Sequence, residues 1–229
     1  MHTTELFFDI ETIPSQLPGI REEIAAGITA PGQYSKPESV AKWLEENREA
    51  AAEAEWLKTS FDGGLGQVCV IGWALGDDAP KSLRVGDLGQ EAERDLLAEF
   101  FGVVQRAGSG LRFVGHNVIG FDLKFLWKRA MVLGIKPPWT FPRAPKPWAD
   151  NVADTMLMWD GDQRAGGSMD RLCKLLGIPG KGDMDGSKVW PMVRDGRIEE
   201  VAAYCRGDVA RTRAMYRRMT FTDNMELPF

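Results

Sequence analysis

Residues 5–11, Glu-Leu-Phe-Phe-Asp-Ile-Glu, constrain the fold of this chain more tightly than any other stretch. Residues 5–10 read as a short buried strand. Side chains at i and i+2 share a face of a strand, so Asp9 and Glu11 point to the same side at its end. Two carboxylates beside an apolar core are costly unless something positive meets them. A fold that accepts this strand must bring a cation to that face or leave it as a solvated strand end.

The remaining periodicities define the frame around that strand. Residues 67–75 read as a second strand and Lys81 to Val85 as a third, with a turn at Gly76-Asp77-Asp78. Glu91 to Arg106 carries Leu97, Phe100, Phe101 and Val104 at helical spacing. Leu111 to Gly115 is a short strand, Phe121 to Leu133 a helix, and a last strand falls around Val152. Ser168 is a good N-cap for a helix that Gly177 stops, and Ile198 through Tyr216 marks a long final helix ending near Met219. Three strands, then alternating helix and strand, then helices is an α/β pattern with a mixed sheet flanked by helices. Residues 14–61 break the rhythm with a Pro/Gly-rich loop and a polar, alanine-rich helix from about Glu38 to Lys58. They read as a helical insertion between strands one and two. Pro137 to Pro147 reads as an irregular extended loop.

Composition narrows the class. At 229 residues, 44% apolar and 27% charged, the chain has an ordinary globular make-up for one domain, with or without an insertion. No uncharged apolar run approaches the roughly 20 residues needed to cross a bilayer, and the N-terminus lacks the pattern of a signal peptide. Cys69, Cys173 and Cys205 have no metal-type spacing and imply reduced thiols in a cytoplasmic protein. The net charge of −5 argues against a protein that coats nucleic acid, but not against a metal nuclease, whose bound cations would cancel cleft charge.

Two further segments carry acids as the first does. Asp122 closes His116-Asn-Val-Ile-Gly-Phe-Asp122 and opens a helix, and Tyr204 and Asp208 lie four apart on the final helix, on one face. Each has a plainer reading alone: Asp122 as a helix-start acid, Tyr204 and Asp208 as a helix-surface pair. Competing acidic pairs stand at Asp160-x-Asp162 and Asp183-x-Asp185. Together the three segments supply four hard oxygen ligands. That is an inventory for two divalent cations about 3.5–4 Å apart, as in phosphodiester-cleaving enzymes, and Mg²⁺ suits such oxygen ligands.

In their order and element types the three segments resemble the Exo I, Exo II and Exo III motifs of the DEDD superfamily of 3′–5′ exonucleases, which share a ribonuclease H-like fold. Tyr204-x-x-x-Asp208 fits the tyrosine form of Exo III, and Ala203 excludes the histidine form. Gly177-Ile-Pro-Gly-Lys181, Met184-Asp-Gly-Ser187 and Ile198-Glu-Glu-Val-Ala-Ala-Tyr204-Cys are most similar to stand-alone exonucleases resembling the proofreading domain of family B DNA polymerases. The resemblance implies that Asp9, Glu11, Asp122 and Asp208 bind two Mg²⁺ or Mn²⁺ ions and that Tyr204 orients the attacking water or accepts its proton. It implies that Thr12, Asn117 and Phe121 touch the terminal nucleotide. Lys181, Lys188, Arg206 and Arg211 are candidates for phosphates, with a solvated basic face as the alternative, and Asp154 reads as a helix cap.

The expected unit is one exonuclease domain over residues 1–219, acting on the 3′ end of single-stranded DNA in preference to RNA and releasing 5′-mononucleotides. With no polymerase domain in view, proofreading or repair would act in trans. The rival readings are a ribonuclease D-like RNA-trimming enzyme and a catalytically idle module that holds a 3′ end. Residues 220–229 form a tail whose Met225, Leu227 and Phe229 resemble the short segments by which bacterial replication proteins dock on the sliding clamp. Asn224 stands there in place of the usual glutamine. A terminus folded onto its own domain is the plainer alternative.

Overall fold

The computed structural model describes residues 4–161, 167–182 and 184–223. The final six residues of the clamp-like tail lie outside that range, as do Asp162 and Asp183 of the competing acidic pairs. Five strands form one sheet: β1 (Thr4–Ile13), β2 (Gln67–Leu75), β3 (Lys81–Arg84), β4 (Leu111–Gly115) and β5 (Val152–Asp154). Their order is β3-β2-β1-β4-β5. The first three are antiparallel, while β1, β4 and β5 run parallel.

β1 is central and covered on both faces, which is why it reads as a nearly continuous apolar run. It is longer than residues 5–10, so Asp9 and Glu11 lie within it and not at its end. Its pairing with β4 ends at Phe7↔Val114, however, whereas its pairing with β2 continues through a bulge at Glu11/Thr12. The acids therefore stand beyond the carboxyl end of a parallel neighbour, where α/β sheets open a crevice.

Alternation along β1 sorts its side chains between two helical layers. Phe8 meets Phe100 and Phe113 on the side of α3 (Gln90–Ala107) and α4 (Asp122–Val132). Phe7 meets Tyr216 of α8 (Ile198–Met219) on the other. Burying a large apolar side chain of this kind is worth about 1.5–3 kcal/mol. The extended loop over residues 137–147 is anchored by Phe141, whose ring contacts Phe100, Phe101, Phe113 and Trp127. Beneath α3 and α4, Arg129 makes a two-pronged ion pair with Glu93 at 2.6 and 2.8 Å, and Glu93 also accepts from Val68 N.

Between β1 and β2 the chain forms α1 (Ile20–Gly27) and α2 (Pro37–Lys58). The first of these helices is absent from the sequence reading, because none of its residues is buried and its apolar spacing is thin. The insertion is fastened through Trp56, whose indole donates to Ser15 O and whose ring meets Trp190 edge-on. Three short helices, α5 (Thr155–Asp160), α6 (Met169–Leu175) and α7 (Val189–Arg194), complete the set before α8. Ser168 caps α6 by accepting from Arg171 N, and Gly177 after it takes the left-handed φ of 68°. Past α8, Thr220 turns back on Tyr216 O and Arg218 pairs with Asp223.

Candidate active site

Asp9 and Glu11 share the β1 face that also carries Phe7, which is the face covered by α8. Directly across from Asp9 in β2 stands Gly72. A Cβ there would come within 2.8 Å of Cys205 Sγ and 3.0 Å of Val209, so the bare glycine lets α8 settle onto the sheet beside Asp9. An isolated glycine inside a strand is a legible sign of such close approach.

Asp122 enters from α4. Where β1 has left β4, Ile10 N–H donates to Asp122 Oδ1 at 3.1 Å, so this carboxylate both sits at the helix start and extends the sheet's hydrogen bonding. The loop before it is held by Asp154, which caps α5 by accepting from Met156 N. The same carboxylate accepts from Asn117 N at 2.9 Å and Ile119 N at 3.0 Å. Asp154 is thus a cap, as its sequence setting implies, and also the anchor of the loop. Asn117 adopts a left-handed φ of 61° there, and a Cβ on Gly120 would come within 2.1 Å of Asn117 Oδ1, so a side chain at 120 would displace that amide.

Tyr204 and Asp208 are one turn apart on α8, and Asp208 is only 2% exposed. Lys181 reaches both: its ammonium donates to Tyr204 OH at 2.9 Å and pairs with Asp208 Oδ2. Arg211 Nη1 holds Asp208 Oδ1 at 3.0 Å, while its other nitrogens grip Gly180 O and Pro179 O. That guanidinium pins the segment bearing Lys181 onto α8. Sequence spacing could not position Lys181, which lies 27 residues from Asp208 with α7 and the start of α8 between them. Arg206 turns to Ser82 of β3 and ties α8 to the sheet edge, and Lys188 is exposed just before α7.

Electrostatics set this cluster apart. Burial and the neighbouring Asp208 push Asp9 from 3.8 up to about 7, although Lys181 works the other way. Burial, Asp9 and Asp208 hold Glu11 well above the carboxylate range, and burial and Asp9 do the same for Asp122. The Tyr204 phenol is raised by burial and by Asp208. Burial opposes the charge of Lys181, yet Asp208 and Tyr204 hold it above its usual value. The acids repel one another more than the two cations at Asp208 compensate, which is the condition that a divalent cation relieves.

Among the described residues, donor atoms of Asp9, Glu11 and Cys205 all lie within 4.8 Å of one another. Asp122 and Asp208 flank this group closely enough to raise Glu11. Four carboxylate groups with a single thiol fit hard divalent cations. Cys205, read from the sequence as a reduced thiol without metal-type spacing, is brought here by the close seat of α8 on Gly72.

The three residues expected at the nucleotide differ in their settings. Phe121 is half-buried and packs on Phe125, with ring centroids 5.4 Å apart. Asn117 is half-buried in the anchored loop. Thr12 gives its hydroxyl to Ser60 O at 2.7 Å, so it also fastens the end of the insertion to β1. The half-buried His116 shares a 3.0 Å hydrogen bond with Thr155 Oγ1, and burial lowers its pKa.

Residues 55–227 match the model of a family described as predicted 3′–5′ exonucleases related to the exonuclease domain of PolB. Among solved structures, the family B DNA polymerase from the hyperthermophilic archaeon Pyrobaculum calidifontis is similar in fold, with a TM-score of 0.62 and 17% identity. That likeness covers 96% of this chain and 25% of the polymerase chain, so the present chain spans about a quarter of its length. The mixed five-stranded sheet with flanking helices is accordingly of the ribonuclease H-like type. None of the curated proteins matches the chain.

Proposed function

Since the chain belongs to the family of predicted 3′–5′ exonucleases related to the exonuclease domain of PolB, we propose that it removes 5′-mononucleotides from the 3′ end of single-stranded DNA, with residues 1–219 as the exonuclease unit. The reading is supported chiefly by one observation: Asp9, Glu11, Asp122 and Asp208, from three separated segments, crowd until Asp9, Glu11 and Asp122 are all held above the carboxylate range. The family match includes Asp122, Tyr204 and Asp208, while Asp9 and Glu11 precede it and enter on geometry alone. DNA is favoured over RNA by the family's relation to PolB.

The four carboxylates would hold two Mg²⁺ or Mn²⁺ ions. Such a pair supplies charge neutralisation for a phosphodiester and activation of water. The protein's own groups divide the remaining work. Burial keeps Tyr204 a neutral phenol, so it orients the water through a hydrogen bond and does not take the proton. Lys181 donates to that phenol oxygen, leaving the phenolic proton free to be given elsewhere. If cations were held at these carboxylates, the Lys181 ammonium, now on Asp208, would be available to a phosphate oxygen. Phe121 and Asn117 would meet the terminal nucleotide by stacking and hydrogen bonding.

The experiment is digestion of 5′-labelled single-stranded DNA and RNA side by side with Mg²⁺, Mn²⁺ or EDTA. The expected result is a descending ladder on DNA that EDTA abolishes. Immediate release of a labelled mononucleotide would show the opposite polarity. A ladder on RNA alone would move the assignment to RNA trimming, and binding without cleavage would leave a 3′-end-holding module.

A further inference from the structure

Phe61 ends the single 3₁₀ turn Thr59–Phe61 that closes the insertion, and it is 74% exposed. Its neighbours in the turn all have structural tasks. Thr59 is buried, donates its hydroxyl to Trp56 O at 2.6 Å and accepts from Ser15 N at 2.8 Å. Ser60 O accepts from the Thr12 hydroxyl. Asp62 pairs with Lys128 of α4 at 2.6 Å and accepts from Gly64 N at 2.9 Å. A Cβ on Gly63 would lie 2.8 Å from Phe125 O, so the chain there runs directly against α4. One exposed apolar residue is ordinary by itself. Phe61 differs in being a ring held out to solvent between two fixed points.

Those fixed points give the mount its place. One is Thr12, the residue after Glu11, and the other is the stretch of α4 from Phe125 to Lys128. At 1.5 Å of rise per residue, Lys128 lies about 9 Å along the helix from Asp122. Phe121, just before Asp122, packs on Phe125 at the near end of the same stretch. Phe61 is therefore mounted on the wall that Thr12 and Phe121 begin, displaced from the acids along α4. Proteins grip single strands by stacking successive bases on aromatic rings, and every base offers a π face. A ring already fixed in place loses little freedom when a base arrives.

We propose that Phe61 is a stacking platform for a base upstream of the 3′-terminal nucleotide, so that the substrate class is a single-stranded end of several nucleotides held without regard to sequence. The inference rests on the nuclease reading for the position of the 3′ end, but it concerns binding and does not need the bond to be cut. A base inside a duplex is already stacked on both faces and cannot use the platform. The insertion thereby gains a task in substrate binding: it carries Phe61 to the crevice and fixes it there through Ser60 and Asp62.

The test is binding of a 5′-fluorescent single-stranded oligonucleotide, read by anisotropy in EDTA so that metal-dependent cleavage is suppressed. Phe61→Ala should weaken binding by about 5–150-fold, the loss of one base–aromatic stack. Phe61→Trp should keep the affinity or raise it. An abasic residue stepped back from the 3′ end should cost the wild-type protein most at one position upstream of the terminus. At that position it should cost Phe61→Ala nothing further. Trp139→Ala is the control: Trp139 is 87% exposed but lines a hollow with Gly108 and Ser109, before β4 begins and so at the opposite end of the sheet from the acids. It should bind like wild type, and thermal unfolding should verify that all three variants are folded. Unchanged affinity in Phe61→Ala overturns the proposal. So does a loss that stays equally large at every abasic position, which would mean that the variant disturbs the turn at Thr12 and no base contact. A grip that depends on Phe61 without cleavage in Mg²⁺ or Mn²⁺ would remove the nuclease reading alone. Cleavage with a grip indifferent to Phe61 would remove this one alone.

Discussion

Glu93 and Glu11 are buried against the same sheet, with Asp9 half-buried beside Glu11, but their surroundings are opposite. Beneath α3 and α4, Glu93 receives two bonds from Arg129 and one from Val68 N–H, so one cation and one backbone donor satisfy it. On the α8 side, Asp9 has a thiol beside it and Glu11 has other acids, and both are held well above the carboxylate range. The first arrangement joins two helices and can do nothing else. The second leaves negative charge uncompensated at a place reachable from outside, which is the state of a site awaiting a ligand.

The sharpest way to break this contrast is to neutralise acids of the crowded group on the α8 side. Asp9→Asn and Asp208→Asn should abolish metal-dependent nucleotide release. Asp9→Asn should leave the melting temperature unchanged or raise it, because repulsion among like charges is relieved. If calorimetry instead finds a loss as large as that for the paired group, the Asp9 cluster is structural and the contrast fails.

Tyr204→Phe keeps the ring and removes the hydroxyl that Lys181 engages. The turnover rate should fall by about 10²–10³, the range for loss of one positioned hydrogen-bond donor in an active site. Binding of a single-stranded end, measured by fluorescence anisotropy, should change little. Full activity would make Tyr204 a packing residue.

On the other face, Arg129→Met strands Glu93 without its partner. Denaturant unfolding should register a loss of about 3–5 kcal/mol. Glu93→Leu combined with Arg129→Met should recover only part of it, since an apolar pair can replace a buried ion pair but leaves Val68 N–H without its acceptor. A single Arg129→Met change without cost would mean that solvent reaches Glu93.

The smallest effect is a difference in pH dependence. Asp9 titrates near 3.8 when unfolded and near 7 in the metal-free fold, so between these values the folded state binds the extra proton. Stability then declines as pH rises through that window. Asp9→Asn lacks this contribution, so its stability relative to wild type should grow from pH 4 to pH 7 in EDTA. Excess Mg²⁺ should shrink the difference. A difference that stays constant with pH would show that Asp9 is not raised.

Much of the frame was legible in the chain. The strands at 67–75 and 111–115 and the helix at 91–106 follow from period-2 and period-3.6 patterns that local chemistry makes strong. So does the long final helix carrying Tyr204 and Asp208. The α1 helix was not legible, because a helix with no buried residue leaves little apolar period. The true length of β1 was hidden too, since Glu11 and Thr12 interrupt the apolar run while the pairing with β2 continues past them through a bulge.

By itself the sequence determined which residue types would be available: acids on one strand face, an acid opening a helix, and a tyrosine and an acid one turn apart. Those relations are local, set by the 2.0 and 3.6 periods of strand and helix. Only the tertiary structure decided what each acid would meet. Lys181 and Arg211 converge on Asp208, Ile10 N–H takes Asp122, and Cys205 reaches Asp9 because Gly72 admits α8. Such meetings join residues up to 196 positions apart. Their energies depend on separations of a few ångströms in a poorly screened interior, and no periodicity along the chain encodes those distances.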